Sequence, residues 1–284
     1  MNPVSHHPRT KSKFNDTNVR EIPISSGFAE LDIGPKQVTV YVNGVPSSAV
    51  DLTDPTFLTF EYMQQMDTII DHLHPEPKRI LHLGAGACSL AWAWAIKHPT
   101  ARQIAVDIDA ELVALVRQWF ELPRAPALRI RVQDAAAAVA EAKPDSFDVV
   151  VRDVFAGNTT PQELTTPEFT VNVQQALTSN GIYLVNCADR PPLNLVRQEL
   201  ITLKETFGLS QVALVAERGI VNGKRYGNLV LVARKTDDDE DSNSAKSTLE
   251  NPALARALRS LPTPAVFIEG AELVNFIQRR KLNI

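Results

Sequence analysis

Several features that mark specialised classes of protein are scarce in this sequence of 284 residues. Its two cysteines, Cys88 and Cys187, fit neither a disulfide framework nor a metal or redox motif, so we expect free thiols in a reducing cytoplasm and no bound metal. No apolar run approaches the ~20 residues that cross a bilayer, and the basic N-terminus lacks the apolar segment of a secretory signal. A net charge of −4 gives no reason to expect nucleic acid as a partner.

What is present is typical of a globular core, since 44% of the residues are hydrophobic. Composition and turn signals, among them the hairpin turn Asn43-Gly44, divide the chain into five parts. These are a disordered tail (1–26), a small N-terminal β-hairpin unit (27–54), a nucleoside-binding catalytic domain (55–235), an acidic linker (236–248) and a docked C-terminal α/β tail (249–284).

The central part opens with helical spacing over 55–73 and then alternates between short apolar runs and helical stretches. The runs lie at 79–83, 103–107, 127–132, 147–151 and 181–186, and the helices at about 88–98, 110–121, 135–142, 167–178 and 193–206. Two last runs, 210–217 and 227–233, have no predicted helix between them and indicate an antiparallel pair. The predicted fold class is α/β: a doubly wound, mostly parallel seven-stranded sheet with an antiparallel last strand and a small N-terminal β unit. It resembles the class I S-adenosylmethionine-dependent transferases.

A glycine-containing turn follows the first parallel strand, in the sequence HLGAGACS. Gly84 and Gly86 allow the main chain to bend sharply and a ligand to approach closely, and the next helix offers free amide groups at its start. Ser89 stands where a dinucleotide-binding motif has its third glycine. The turn alone is therefore a weak signal that also fits a plain strand-to-helix connection.

Acidic residues end the next two strands. Asp107 follows Gly84 at close to the ~20 residues expected for a carboxylate that accepts hydrogen bonds from ribose hydroxyls. Asp134 fits both the N-cap of the next helix and an acceptor for an adenine amino group, and the two roles can coexist. Together these residues predict a nucleoside site at the carboxyl edge of the sheet. The missing third glycine and the antiparallel ending favour an adenosylmethionine-type ligand over NAD.

The fourth strand, FDVVV, brings Asp153 to the same edge. No helix begins directly after it, so we favour a functional carboxylate over a helix cap. Asn186, Asp189 and Arg190, after the fifth strand, also reach this edge.

The loop that follows Asp153 is rich in threonine and proline. Thr160 and Thr166 each precede a proline and read as helix caps. We expect residues 156–166 to form a short lid with a hinge at Gly157 and Asn158, against the alternative of a plain connecting loop.

These motifs resemble the spermidine synthase (polyamine aminopropyltransferase) family over about residues 36–234. The resemblance is carried by VYVNGV, FEYMQQM, LGAGACS, VDID, QDA and FDVVVRDVFAGNTTPQELTTPEF. It implies an enzyme that transfers an aminopropyl group from decarboxylated S-adenosylmethionine to a small-molecule amine. It also implies that Asp153 holds the amine and receives its proton, that Tyr62 lines the amine pocket, and that Asp107 and Asp134 bind ribose and adenine.

Three positions depart from the family pattern. The second acid of its D-x-x-D motif is Ala156 here, the acid of its glycine loop is Ala87, and the glutamine or histidine after the tyrosine is Met63. Each lost charge-assisted hydrogen bond is worth ~1.5–3 kcal/mol. One carboxylate suffices for proton transfer, but we expect an altered acceptor pocket that does not recognise putrescine as the known enzymes do.

Two alternatives stay open at this point. One is a methyltransferase that uses intact S-adenosylmethionine, since Ala87 removes the group that favours the decarboxylated form. The other is a non-catalytic nucleoside-binding homologue, which needs Gly84, Gly86, Asp107 and Asp134 but not Asp153. We expect no nucleic-acid, membrane or metal partner, and we leave open whether the chain forms a homodimer.

Overall fold

A computed structural model of the protein describes residues 21–157, 159–236 and 249–278. The first element is a small sheet of antiparallel strands, β1 Ile22–Ile24, β2 Gly27–Ile33, β3 Gln37–Val42 and β4 Val45–Asp51, paired in that order. Asn43 and Gly44, with φ of 51° and 76°, form the predicted turn between β3 and β4. Both angles are positive, which asparagine and glycine adopt more readily than other residues and which suits the twist of a two-residue hairpin.

The prediction of a tail that extends through residue 26 is wrong at its end. Residues 22–24 pair with β2. The carboxylate of Asp109 accepts hydrogen bonds from the backbone N–H and the hydroxyl of Ser26, both at 2.7 Å. The pairing of β1 with β2 is local, but composition could not show the contact with Asp109, which lies 83 positions from Ser26 in the chain. Residues 1–20 of the predicted tail lie outside the described residues.

The rest of the chain forms one large sheet with helices on both faces. The helices are α1 Glu61–Leu73, α2 Ser89–Lys97, α3 Ala110–Trp119, α4 Ala135–Ala140, α5 Pro167–Ala176, α6 Asn194–Phe207, α7 Arg218–Val221, α8 Pro252–Arg259 and α9 Gly270–Gln278. The strands are β5 Arg79–Leu83, β6 Arg102–Asp107, β7 Leu128–Val132, β8 Phe147–Arg152, β9 Leu177–Asp189, β10 Val212–Glu217, β11 Gly227–Arg234 and β12 Ala265–Glu269. Their order is β12-β10-β11-β9-β8-β5-β6-β7, and β11 and β12 run opposite to the other six.

The central strands are largely apolar because both faces of the sheet are buried there, whereas the edge strand β7 is partly exposed. Val149 and Val151 of β8 pack on the side of α1, whereas Val150 packs on the side of α5 and α6. Successive residues of a strand point to opposite faces. Arg152, the last residue of β8, and Asp153, which follows it, therefore point to opposite sides of the sheet.

The predicted fold class is confirmed, with three differences in detail. The sheet has eight strands, because β12 from the C-terminal part pairs with β10 at its edge. A short helix, α7, lies between β10 and β11, where only a turn was expected. The first helix begins at Glu61 and not at 55. Residues 54–57 form a turn instead, in which the carbonyl of Asp54 accepts the N–H of Phe57, and the Phe57 side chain is 53% exposed.

Candidate functional site

The site lies where the carboxyl ends of β8, β5, β6 and β7 meet. Backbone hydrogen bonds of 2.9–3.0 Å join these strand ends: Asp153 N–H to Leu83, Gly84 N–H to Val106, and Gln133 N–H to Asp107. Asp134 follows Gln133 directly. The predicted residues of the nucleoside and amine sides therefore lie along one continuous edge.

The glycine turn packs so closely against Asp153 on one side and Ser48 on the other that residues with a side chain would not fit. Gly84 has φ of +85°, and a Cβ there would stand 2.1 Å from the carbonyl oxygen of Asp153. Gly86 has φ of +47°, and a Cβ there would stand 2.7 Å from the hydroxyl oxygen of Ser48. Glycine is thus required at both positions, for its positive backbone angle and for the lack of space beside it.

Asp107 supports this turn from the end of β6. Its carboxylate accepts the N–H of Gly86 at 3.1 Å and the N–H of Asp109 at 3.0 Å. Burial raises the pKa of Asp107, and the backbone donors oppose that rise. A carboxylate has about four acceptor positions, so these backbone donors leave room for a hydrogen bond from a ligand.

Asp134 is exposed and caps α4, accepting the N–H of Ala137 at 2.8 Å. Two apolar side chains that sequence reasoning overlooked lie beside it: Val132 is 55% exposed and Ile108 is 69% exposed. Val132 pairs with Asp107 across the strands, and Ile108 follows Asp107 directly in the chain. The signal available in the sequence was an apolar residue next to each strand-ending acid.

Asp153 is half-buried, and each of its oxygens accepts one side-chain hydrogen bond. The hydroxyl of Tyr62, from α1, donates at 2.8 Å, and Nδ2 of Asn186, from β9, donates at 2.9 Å. Burial raises the pKa of Asp153, and these two donors work against the rise. Burial and the charge of Asp153 raise the pKa of Tyr62 well above its ordinary value, so its hydroxyl remains a donor.

Arg152 points to the opposite face of the sheet and anchors the loop that leaves Asp153. Its side chain, 2% exposed, pairs with Glu199 of α6 at 2.6 Å. It also donates to the carbonyl of Leu164 at 2.5 Å, and Leu164 is itself buried in the core.

This anchor contradicts a lid that extends to residue 166. Residues Gln162–Thr165 form a 3₁₀ turn fixed to the core, and the exposed part of the loop is a tight turn in which Ala156 N–H donates to Thr159 at 2.8 Å. Thr166 caps α5 as predicted, accepting the N–H of Phe169 at 3.2 Å. Thr160 is not a cap, since Pro161 occupies that position. The predicted hinge residue Asn158 lies outside the described residues.

The residues at the three positions that depart from the family pattern lie in different surroundings. Ala87 is fully buried, and its N–H donates to the hydroxyl of Ser48 at 2.9 Å. Met63 is buried in the core, whereas Ala156 is exposed in the turn after Asp153. Asp189 turns toward its own loop and accepts the N–H of Val196 at 3.0 Å, so it supports the start of α6.

Within residues 21–157, 159–236 and 249–278, no group of three or more histidine, cysteine, aspartate or glutamate side chains is arranged to hold a metal ion. No helix in those same ranges has both the length and the apolar character needed to span a bilayer.

Comparison with known proteins gives a consistent family. A model of the spermine/spermidine synthase domain matches residues 59–239. A polyamine aminopropyltransferase from Chromobacterium violaceum is 30% identical over 139 residues, which cover 49% of this chain and 53% of that protein. The chain spans about half the length of the curated relatives it matches.

Solved structures agree with the fold of this family. A probable spermidine synthase from Corynebacterium glutamicum superposes with a TM-score of 0.81 and 35% identity, covering 93% of this chain and 95% of that one. Human methyltransferase-like protein 13, solved in complex with SAH, shares the fold with a TM-score of 0.54 and 20% identity over 78% of this chain and 94% of that one.

Proposed function

Because the chain belongs to the spermine/spermidine synthase domain family, we propose that it transfers an aminopropyl group from decarboxylated S-adenosylmethionine to a small-molecule amine. The observation that carries this proposal is the position of Asp153. Its half-buried carboxylate is held by Tyr62 and Asn186, and its backbone carbonyl packs directly against the turn at Gly84. The relatives named polyamine aminopropyltransferase support the same reaction class.

The nucleoside would bind along the glycine turn and the ends of β6 and β7. Gly84 leaves the space that a Cβ would fill, and Asp107 keeps acceptor positions for the ribose hydroxyls. The exposed side chains of Ile108 and Val132 offer an apolar surface for a purine ring. Asp134 can accept from the purine's amino group while it caps α4, because only one of its oxygens is used by the cap.

Asp153 is suited to receive a proton from the attacking amine. Alkyl amines are almost fully protonated at neutral pH, so the nucleophile needs a nearby base. The nitrogen lone pair forms the new C–N bond, the electrons of the C–S bond return to the sulfonium sulfur, and the proton goes to the carboxylate. Burial raises the pKa of Asp153, which makes it a better proton acceptor than an exposed aspartate.

A methyltransferase that uses intact S-adenosylmethionine is the second candidate. One observation favours it: at position 87 the structure has a fully buried alanine whose N–H is taken by Ser48. No acid at that position holds the ammonium group of an aminopropyl chain.

Calorimetry with the decarboxylated nucleoside, the intact nucleoside and methylthioadenosine separates these candidates. Aminopropyl transfer predicts tighter binding of the decarboxylated form and, by mass spectrometry after incubation with a panel of amines, a product heavier by one aminopropyl group. Preference for the intact form together with a methylated product supports the methyltransferase. Equally weak binding of all three, with no product, supports a non-catalytic homologue.

A further inference from the structure

A second carboxylate lies on the amine side of the site, on the helix that carries Tyr62. Glu61 begins α1, immediately before Tyr62, and its carboxylate accepts a hydrogen bond from Nδ2 of Asn228 at 3.0 Å. Both side chains are half-buried. Among the residues that the structure describes, no lysine or arginine lies within ion-pair distance of Glu61, so its negative charge is not neutralised by the protein there.

Asn228 lies on the same face of the sheet as Asn186. In the pairing of β11 with β9, Val230 stands opposite Asn186, and Asn228 is two positions from Val230. Opposite residues share a face and residues two apart share a face, so both asparagines face α1. Val230 confirms the direction, because it packs in the same core cluster as Tyr62.

Asp153, Asn186 and Asn228, with Glu61 at the end, form a row of polar side chains on this face of the sheet. Asn186 gives independent evidence that a ligand binds along this row. It is 2% exposed, its Nδ2 donates to Asp153, and its Oδ1 has no hydrogen-bond partner among the described residues. A buried acceptor left without a partner costs ~1–3 kcal/mol, which a donor on a bound amine would remove.

The row has the dimensions of a short diamine. Since β8, β9 and β11 are adjacent strands, the backbones that carry Asp153 and Asn228 are about 12 Å apart, from two strand spacings of ~4.8 Å and an offset of two residues, ~6.7 Å, along the strand. Side chains and hydrogen bonds of ~2.8 Å at each end shorten the gap to the length of a few methylene groups. The negative charge of Glu61 is felt at Tyr62: after burial and Asp153, it is a further cause that raises the pKa of that hydroxyl.

We propose that Glu61, oriented by Asn228, binds the second ammonium group of a diamine acceptor whose first amine is held by Asp153. The inference rests on the proposed function for the identity of the acceptor's reacting end. In this arrangement Glu61, from helix α1, takes the place of the acid that the family pattern has at position 156 in the loop after β8.

The test compares two ligands that differ only in the distal charge. Protein saturated with methylthioadenosine is titrated by calorimetry with 1,4-diaminobutane and with butylamine. Glu61→Gln keeps an oxygen for Asn228 but removes the charge, and it is expected to weaken diamine binding about ten- to hundredfold, as the loss of a charge-assisted hydrogen bond implies. Butylamine binding is expected to change less than threefold, by our estimate for a ligand that does not reach the substituted group.

Asp71→Asn is the matched control. It removes one acid from the same helix, about 15 Å from Glu61 at 1.5 Å per residue, and it is expected to leave both affinities unchanged. Equal losses for the two ligands in Glu61→Gln, unchanged diamine binding, or no diamine binding to the wild-type complex each overturn the proposal. Thermal unfolding of both variants shows whether a loss reflects folding, and Glu61→Asp, which keeps the charge, is expected to recover part of the selectivity.

Turnover separates this inference from the proposed function. If no amine yields an aminopropyl product but the diamine still binds through Glu61, aminopropyl transfer fails and the diamine subsite stands. If product forms from butylamine and 1,4-diaminobutane with equal KM, the transfer stands and the subsite fails.

Discussion

The nucleoside side and the amine side of this site are built in different ways. The nucleoside side uses backbone turns and consecutive strand ends between residues 84 and 134, and its acids are tied to nearby N–H groups. The amine side is assembled from side chains of α1, β8, β9 and β11. Its hydrogen bonds join residues 33, 91 and 167 positions apart in the chain.

This difference bears on which family residues the sequence retains, since the glycines and the strand-ending acids are present while the acids expected at positions 87 and 156 are alanines. A backbone site depends on conformation, so it needs glycine at Gly84 and Gly86 and tolerates change elsewhere. A side-chain site depends on charge and reach, so moving an acid from one element to another changes what it binds. The structure has an acid at Glu61 and none at Ala87 or Ala156.

The largest expected effect is on the amine side. Asp153→Asn removes the proton acceptor while keeping the shape, and it should reduce turnover by about 10²–10⁴-fold, the usual contribution of a general base. Affinity for methylthioadenosine, measured by calorimetry, should stay within about twofold, our estimate for a site that Asp153 does not line. Asp145→Asn, at an exposed position before the same strand, is the control. A comparable loss of nucleoside affinity would show that the two sides are not separable.

The second largest effect is expected at the buried ion pair between Arg152 and Glu199, which anchors the loop after Asp153. Glu199→Gln leaves the buried guanidinium of Arg152 without its counter-charge and is expected to lower the free energy of unfolding by ~3–5 kcal/mol. Glu217→Gln breaks the exposed pair with Arg225 and should cost at most ~1 kcal/mol. Denaturant unfolding of the two variants gives the comparison, and equal losses would mean that Arg152 is not the anchor of the loop.

On the nucleoside side, Gly84→Ala tests the close contact with β8. The added methyl group would stand 2.1 Å from a backbone oxygen, so the turn must move and nucleoside affinity should fall at least about tenfold, or ~1.4 kcal/mol. Gly223→Ala places alanine at a similarly positive φ of +67° with no atom within 4 Å of the new carbon. It should carry the backbone strain of ~1–2 kcal/mol without loss of affinity. Calorimetry on both variants decides whether the contact or the angle matters.

The smallest expected effect is a shift in pH dependence. Asp153 must be ionised to accept a proton, so kcat/KM should fall as the pH drops through its pKa. The hydrogen bond from Asn186 lowers that pKa, and Asn186→Leu removes it. The acid limb of the kcat/KM profile should therefore move to higher pH, and a move to lower pH would contradict the assigned donor and acceptor.

Local signals predicted most of the fold and the nucleoside side. The strand ends, the glycine turn and the caps at Asp134 and Thr166 depend on residues within a few positions of each other, which periodicity and turn chemistry describe. The added edge strand β12 and the early strand β1 were placed in the tails. The partner strand of β12 lies about 50 positions earlier in the chain, and Ser26, just after β1, is held by Asp109, 83 positions away.

By itself, the sequence determined the order of strands and helices and brought Asp107, Asp134 and Asp153 to one edge, because parallel strands that alternate with helices share their carboxyl ends. Only the tertiary structure decided that Asn186 holds Asp153, that Arg152 is buried against Glu199, and that Glu61 meets Asn228. Those contacts depend on strand register and on how a helix lies across the sheet, which the packing of the whole core sets and no short stretch of residues encodes.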